Sequence, residues 1–236
     1  MTTLVSGSGA GITDTSAFSK AKTGDIIVFG TYEQDNNTNN GKEPIDWIVL
    51  SNDGKELLVV SKYALTCWSY STVLVDITWE ECTLRKWLND DFYNDAFSAS
   101  DKKLIKTTKL KNNDNPVYGT EYGSKGGNDT KDNVFLLSLE DMVNTQYGFS
   151  SDYNESDIAR RCAPTAYAVA HGAYISWSDG YLTSAGEPAC SKWWLRSPGG
   201  LAIYATHVDG SGYVFTRGDY VIKEGGVRPA LCLTLE

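Results

Sequence analysis

Trp193-Trp-Leu-Arg-Ser-Pro-Gly-Gly200 opens the part of this 236-residue chain whose reading decides the fold. Ile203-Tyr-Ala-Thr-His-Val-Asp209, Gly212-Tyr-Val-Phe-Thr-Arg217 and Gly226-Val-Arg-Pro-Ala-Leu231 follow it. These are short strand-like runs with almost no helical periodicity, punctuated by Gly199-Gly200, Gly210-Ser-Gly212 and Gly225-Gly226 as turns. Side chains of a strand alternate between two faces, so Tyr204, Thr206 and Val208 share one face and Ile203, Ala205 and His207 the other. Both faces carry bulky groups. If one is core, the other displays aromatic and aliphatic side chains, and Tyr and Arg are the types that form interface hot spots. The alternative is that the whole ribbon is buried and these are ordinary core aromatics.

Upstream, Asp25–Tyr32, Ile45–Leu50 and Glu56–Val60 read as strands, and Asn52-Asp53-Gly54 supplies a hairpin turn, so the three runs predict an antiparallel meander. Asp35-Asn-Asn-Thr-Asn-Asn-Gly41 hints at a calcium loop, but its Gly falls one place late and the closing Glu is missing, so it reads as a solvated loop. Thr78-Trp-Glu-Glu81 has the form of a capping box and predicts a helix from Trp79 to about Leu88, with Leu84, Trp87 and Leu88 on its core face. Ser98-x-x-Asp101 and Ser138-x-x-Asp141 are weaker caps for two further short helices. Lys111–Lys131, rich in Asn, Gly and Asp, reads as an exposed functional or disordered loop, and Asn133–Leu137 as a buried strand. Trp177, Asp179 and Tyr181 read as a hairpin tip, either bordering a binding face or structural. Residues 1–22 are small, polar and aperiodic, which predicts an N-terminal arm ahead of a single domain over 23–236.

Hydrophobic residues at 41% and charged residues at 22% are the profile of a folded protein. A net charge of −9 argues against nucleic acid as a partner, whose binding is built from clustered Lys and Arg. The N-terminus lacks the basic start and apolar core of about 7 to 15 residues that mark a signal peptide. No apolar run reaches the roughly 18 residues of a membrane span, so no membrane insertion is expected. Five cysteines at irregular spacing, Cys67, Cys82, Cys162, Cys190 and Cys232, read as small buried hydrophobes rather than a disulfide framework.

Several segments occur together in the order Ile45-Asp-Trp-Ile-Val-Leu50, Thr78-Trp79, Leu84-Arg-Lys-Trp-Leu-Asn89, Val134-Phe-Leu-Leu-Ser138, Trp193–Gly199 and Gly226–Leu231. In that order the chain resembles an uncharacterised bacterial and phage family, related to the C-type-lectin-like fold of formylglycine-generating enzymes and of the variable proteins of diversity-generating retroelements. The resemblance spans about residues 24–235 and implies an α+β, C-type-lectin-like single domain with antiparallel strands and a few short helices. In retroelement variable proteins the stretch between such a Trp-rich strand and the terminal strand is the diversified ligand-binding surface, which here is residues 200–224. Where the family is mostly small and polar in this window, the chain has Leu201, Ile203, Tyr204, His207, Tyr213, Phe215, Arg217 and Tyr220. The resemblance makes these the ligand-binding residues. Trp193, Trp194, Arg196, Arg228 and Pro229 are assigned to architecture, the arginines as partners of buried carbonyls or carboxylates.

The implied function is a non-catalytic display scaffold, with an unknown protein or glycan as ligand and neither cofactor nor metal. A fixed-specificity adhesion module on a phage particle or cell surface is the alternative. Formylglycine-generating-type oxidation needs a closely spaced cysteine pair, and Cys162, Cys190 and Cys232 are far apart in sequence. No Gly-x-Ser-x-Gly, His-Glu-x-x-His or phosphate-loop motif occurs. A carboxylate pair for glycoside hydrolysis cannot be read from spacing. Of the two histidines, His171 follows the apolar Ala166–Ala170 and reads as a helix-end or core residue.

Overall fold

In the computed structural model, which describes residues 3–4, 18–175 and 189–235, Thr3–Leu4 (β1) runs parallel to Ile26–Tyr32 (β2). The expected meander follows as Glu43–Asn52 (β3) and Glu56–Ser61 (β4), each antiparallel to its predecessor. Its hairpin turns where Gly54 takes a φ of 84°, and Asp53 Oδ1 accepts the amides of Lys55 and Glu56 at 2.9 and 2.7 Å. Glycine reaches that backbone region without a steric penalty. The remaining strands are Thr66–Ser69 (β5), Ile105–Lys106 (β6), Thr108–Leu110 (β7), Thr130–Asp132 (β8), Trp193–Pro198 (β9), Tyr204–Val208 (β10), Val214–Tyr220 (β11), Glu224–Val227 (β12) and Ala230–Thr234 (β13).

They form a six-stranded sheet in the order β1-β2-β3-β4-β13-β6, a five-stranded sheet in the order β11-β10-β9-β12-β5, and the β7-β8 ribbon. The Gly226–Leu231 motif is the crossing between the two large sheets: β12 ends at Val227 and β13 begins at Ala230. Arg228 holds this crossing from inside, donating to Ser61 O at 2.9 Å and lying 4.9 Å from the centre of the Trp193 ring. Phe135 is the second tie. It exchanges backbone bonds with Ala230, and two residues later Leu137 O accepts the Arg196 amide. Only Phe135 of the expected strand Asn133–Leu137 forms a bridge, although Val134–Leu137 are all buried. Trp47, Trp79, Trp193 and Trp194 are fully buried, and each indole N–H has an acceptor, at Phe29 O, Asp132 Oδ2, Arg160 O and Trp68 O. Burial of such large rings without those acceptors would leave an unsatisfied donor in each.

The helix expected from Trp79 begins later. The Thr78 carbonyl accepts the Glu81 and Cys82 amides in a turn, and α1 spans Thr83–Trp87 with Cys82 Sγ accepting the Arg85 amide at 3.3 Å. It continues through a π-helical turn, Leu88–Phe92, into α2, Tyr93–Ala96. The Trp79 indole is drawn inward onto Asp132, and that tertiary bond outweighs the local cap. Of the other two, the Ser138 cap forms as expected, whereas α3, Asp101–Leu104, has Ser100 at its N-cap with no side-chain cap bond and Ile105 falls in β6. Ser98 and Asp101 bond reciprocally ahead of α3, and Ser138 and Asp141 make a capping box for α4, Leu139–Met142. The last described helix, α5, is Ala166–Ala170, with His171 exposed at its end and its Nδ1 2.8 Å from Tyr167 O. Within the segment expected as an arm, Phe18 is fully buried in the core. Trp177, Asp179 and Tyr181 lie outside the described residues. The molecule is a single α+β domain, mostly antiparallel, with few and short helices.

Candidate binding face

Strand β11 is the edge of the five-stranded sheet, and its neighbour β10 pairs with both β11 and β9. Directly across the strands lie Tyr204 and Tyr220, His207 and Phe215, and His207 and Trp194. The register slips between the first two pairs. At that slip Gly218 has a φ of 79°, and a Cβ there would sit 2.4 Å from Ala205 O. Only glycine fits this bulge, which re-aims the end of the strand so that Tyr220 meets Tyr204 edge to face at 4.8 Å. Phe215 lies flat on His207, with centroids 4.9 Å apart and rings 8° from parallel, and His207 stands edge-on to Trp194 at 5.9 Å. The result is a ladder running from a buried tryptophan to an exposed phenylalanine.

The eight expected binding residues separate on this frame. Phe215 is 41% exposed, Tyr220 39%, and Arg217 is exposed between them. Leu201, Ile203, Tyr204 and Tyr213 are half-buried, and Tyr213 Oη donates to Asn154 Oδ1 at 3.3 Å. His207 is the correction: it is 7% exposed and lies beneath Phe215 rather than at the surface. Ala205, Thr206 and Val208 are also buried, so both faces of the interior strand β10 are covered. The simple alternation therefore holds for the exposed edge strand and not for its neighbour.

The long polar loop after Leu110 brings two residues that the sequence reading left out. Asn115, 1% exposed, donates from Nδ2 to Pro198 O at 2.9 Å and to Thr216 O at 2.7 Å, while its Oδ1 accepts the Val117 and Tyr118 amides. Ser124, also buried, donates to Gly199 O at 2.7 Å. So fastened, the loop places Tyr118 and Tyr122 opposite Gly200, Leu201 and Arg217 around a cleft of about 380 Å³. A Cβ on Gly200 would come within 3.2 Å of the Tyr118 ring and 3.5 Å of Arg217 Cγ, so the bare backbone of Gly200 is the cleft floor. The tyrosines within a Gly-rich tract were the available signal, but nothing local says where such a loop docks.

Residues 54–235 match the family described as a domain of unknown function, DUF6273. The match covers well over half of the chain.

The chain belongs to the DUF6273 family.

Neither the curated proteins nor the solved structures include a match to it. The DUF6273 region opens inside the β3–β4 hairpin turn and takes in the whole five-stranded sheet, the long loop and the cleft, while β1, β2 and β3 precede it.

Burial is the main cause that pulls His207 down to about 3, with the charge of Lys192 adding to it and that of Asp219 opposing. Neutral at physiological pH, the ring lies flat against Phe215 with its Nδ1 buried and without a hydrogen-bond partner among the described residues. Lys192 lies 4.7 Å from the centre of the Trp194 ring and 3.1 Å from Asp219 Oδ2. Desolvation pushes the Asp219 carboxyl up, yet Lys192, the Tyr220 amide and His207 together hold the group below its ordinary value. A hydrogen bond with Tyr220 is the largest cause raising the Tyr204 phenol.

Burial pushes the Cys67 and Cys82 thiols up to about 12 and Cys162 up to about 11. Folding does bring Cys190 close enough to Cys162 to raise it further, against the lowering effect of Arg228. Thiols held this high are protonated, which makes them poor nucleophiles and poor ligands. In the calcium-like loop, Glu33, Asp35 and Glu43 approach one another within 4.8 Å. Their oxygens accept from amide groups of the same loop, including those of Gln34, Asn37 and Asn40, as a self-contained surface loop does. No helix among the described residues is long and apolar enough to cross a membrane.

Proposed function

We propose that this DUF6273 chain is a non-catalytic recognition scaffold of C-type-lectin-like fold that displays a protein-binding face, in the manner of a variable protein of a diversity-generating retroelement. The observation that carries it is the row Phe215, Arg217 and Tyr220, exposed together on an edge strand and backed by fully or nearly buried Trp194 and His207. Large aromatic groups and arginine on a rigid support give contact area at little entropic cost. An edge strand is also where substitution disturbs the core least.

Two measurements test the reading. A library randomised at Leu201, Phe215, Arg217 and Tyr220 is expected to keep cooperative unfolding and to yield binders against unrelated proteins, whereas one randomised at Ala205, His207 and Val208 is expected to lose the fold. Equal loss of folding in both libraries overturns the scaffold reading. Sequencing around the gene then separates two versions of it. A reverse transcriptase with a near-copy of the DNA encoding residues 200–224 supports diversification, and its absence leaves an adhesion module of fixed specificity.

A further inference from the structure

Resting on that reading, we infer that the cleft beside β11 receives the carboxylate of a single Asp or Glu side chain from a protein partner, held by Arg217. Arg217 is exposed; its carbonyl accepts the Gly200 amide, while its guanidinium has no hydrogen-bond or ion-pair partner among the described residues. Its neighbour Lys192, by contrast, is already committed to Asp219. The cleft is lined by Tyr118, Tyr122, Gly200, Leu201 and Arg217, so Arg217 is the one charged residue of its lining and no carboxylate residue is among them. A guanidinium meets a carboxylate through two parallel N–H donors, a geometry that a lysine would not provide.

The shape agrees with a side chain rather than a free ion. At about 380 Å³ the cleft has room for the methylene groups that carry a carboxylate, and Leu201 with the tyrosine rings gives those groups an apolar lining. A side chain at residue 200 would crowd the Tyr118 ring at 3.2 Å, and the Tyr118 backbone is held by Asn115. Net charge narrows the partner further. A chain of net charge −9 repels a run of acidic residues or a nucleic acid at long range, so one buried carboxylate in an otherwise neutral or basic epitope is the class this cleft selects.

The test is selection of random linear peptides displayed on phage against the intact chain, followed by measurement of the recovered peptides on wild type, Arg217→Gln, Arg217→Lys and Phe215→Ser. Arg217 is exposed, so its variants are expected to unfold at the wild-type temperature. Recovered peptides should share an Asp or Glu. Binding should fall about tenfold or more for Arg217→Gln, and equally when that acid is changed to its amide, with Arg217→Lys between. Peptides that bind Arg217→Gln as well as wild type, or that share no acid, overturn the carboxylate assignment. If such peptides still lose binding on Phe215→Ser, the face stands and only the cleft assignment falls. If no peptide binds, both fall.

Discussion

Asn115 Nδ2 lies 2.7 Å from Thr216 O, so a buried side chain in a glycine-rich loop is bonded to the backbone of the edge strand that carries the candidate face. The same amide group reaches Pro198 O at the end of β9 and takes two amides of its own loop. Asn115→Ala removes all four bonds and leaves the carbonyls of Pro198 and Thr216 without this donor. A loss of about 2–4 kcal/mol is expected in denaturant unfolding. Hydrogen exchange at the Val117 and Tyr118 amides should accelerate with it, and exchange that stays at the wild-type rate would contradict this role for Asn115.

His207 predicts a pH dependence. Its folded value, about 3, lies below the ordinary 6.5. Between these values the unfolded chain binds a proton that the folded chain does not. Its contribution is therefore complete above about pH 6.5 and is lost as pH falls toward 3, at up to about 1.4 kcal/mol per pH unit. Lys192 and Asp219 face the ring, the first lowering and the second raising its proton affinity. His207→Phe should keep the stack and flatten the slope by that amount, read as the difference between the two proteins in thermal unfolding from pH 4 to pH 7. Parallel pH profiles would contradict it.

Gly218 sets where Tyr220 points. With its φ of 79° and Ala205 O in the way of any Cβ, Gly218→Ala is expected to cost about 1–3 kcal/mol. The Tyr204–Tyr220 pair should come apart with it, visible as reduced near-ultraviolet circular dichroism at temperatures where the variant is still folded.

Arg160 is fully buried, yet it donates to Met142 O, Glu155 O, Ser150 O and Asp152 O. Its own carbonyl accepts the Trp193 indole. The side chain thus holds the 150–157 loop closed beneath the second sheet. Arg160→Met removes every one of the side-chain donors, and a loss of about 3–5 kcal/mol is expected from equilibrium unfolding.

Phe215→Ser with Tyr220→Ser should change stability by no more than about 1 kcal/mol, because both rings are substantially exposed. A drop as large as that of Arg160→Met would mean that these rings are core, as the alternative reading of the ribbon holds.

What could be read before folding is what a few neighbouring residues settle between themselves. The turn at Asn52-Asp53-Gly54, the Ser98/Asp101 pair, the Ser138/Asp141 cap, and the period-two strands of the meander each depend on bonds that span only a few positions, and each is present. So is the structural role of Trp193 and Arg228, since large rings and guanidinium groups in strand-like surroundings need buried partners. The Thr78 cap has the same local logic and yields to the bond between Trp79 and Asp132, fifty-three positions away.

The site depended on such distant partners throughout. His207 is covered because Phe215 of β11 stacks on it and Trp194 of β9 stands against it. Tyr118 and Tyr122 join the face because Asn115 finds carbonyls on two strands, and Arg160 is buried because four carbonyls converge on it. The sequence by itself determined the Gly54 turn, the Ser138 capping box and the strands of the meander, since hydrogen-bond reach and side-chain alternation act over a few residues. The tertiary structure alone decided which polar groups are buried and which surfaces adjoin, because desolvation depends on every chain segment that packs around a group.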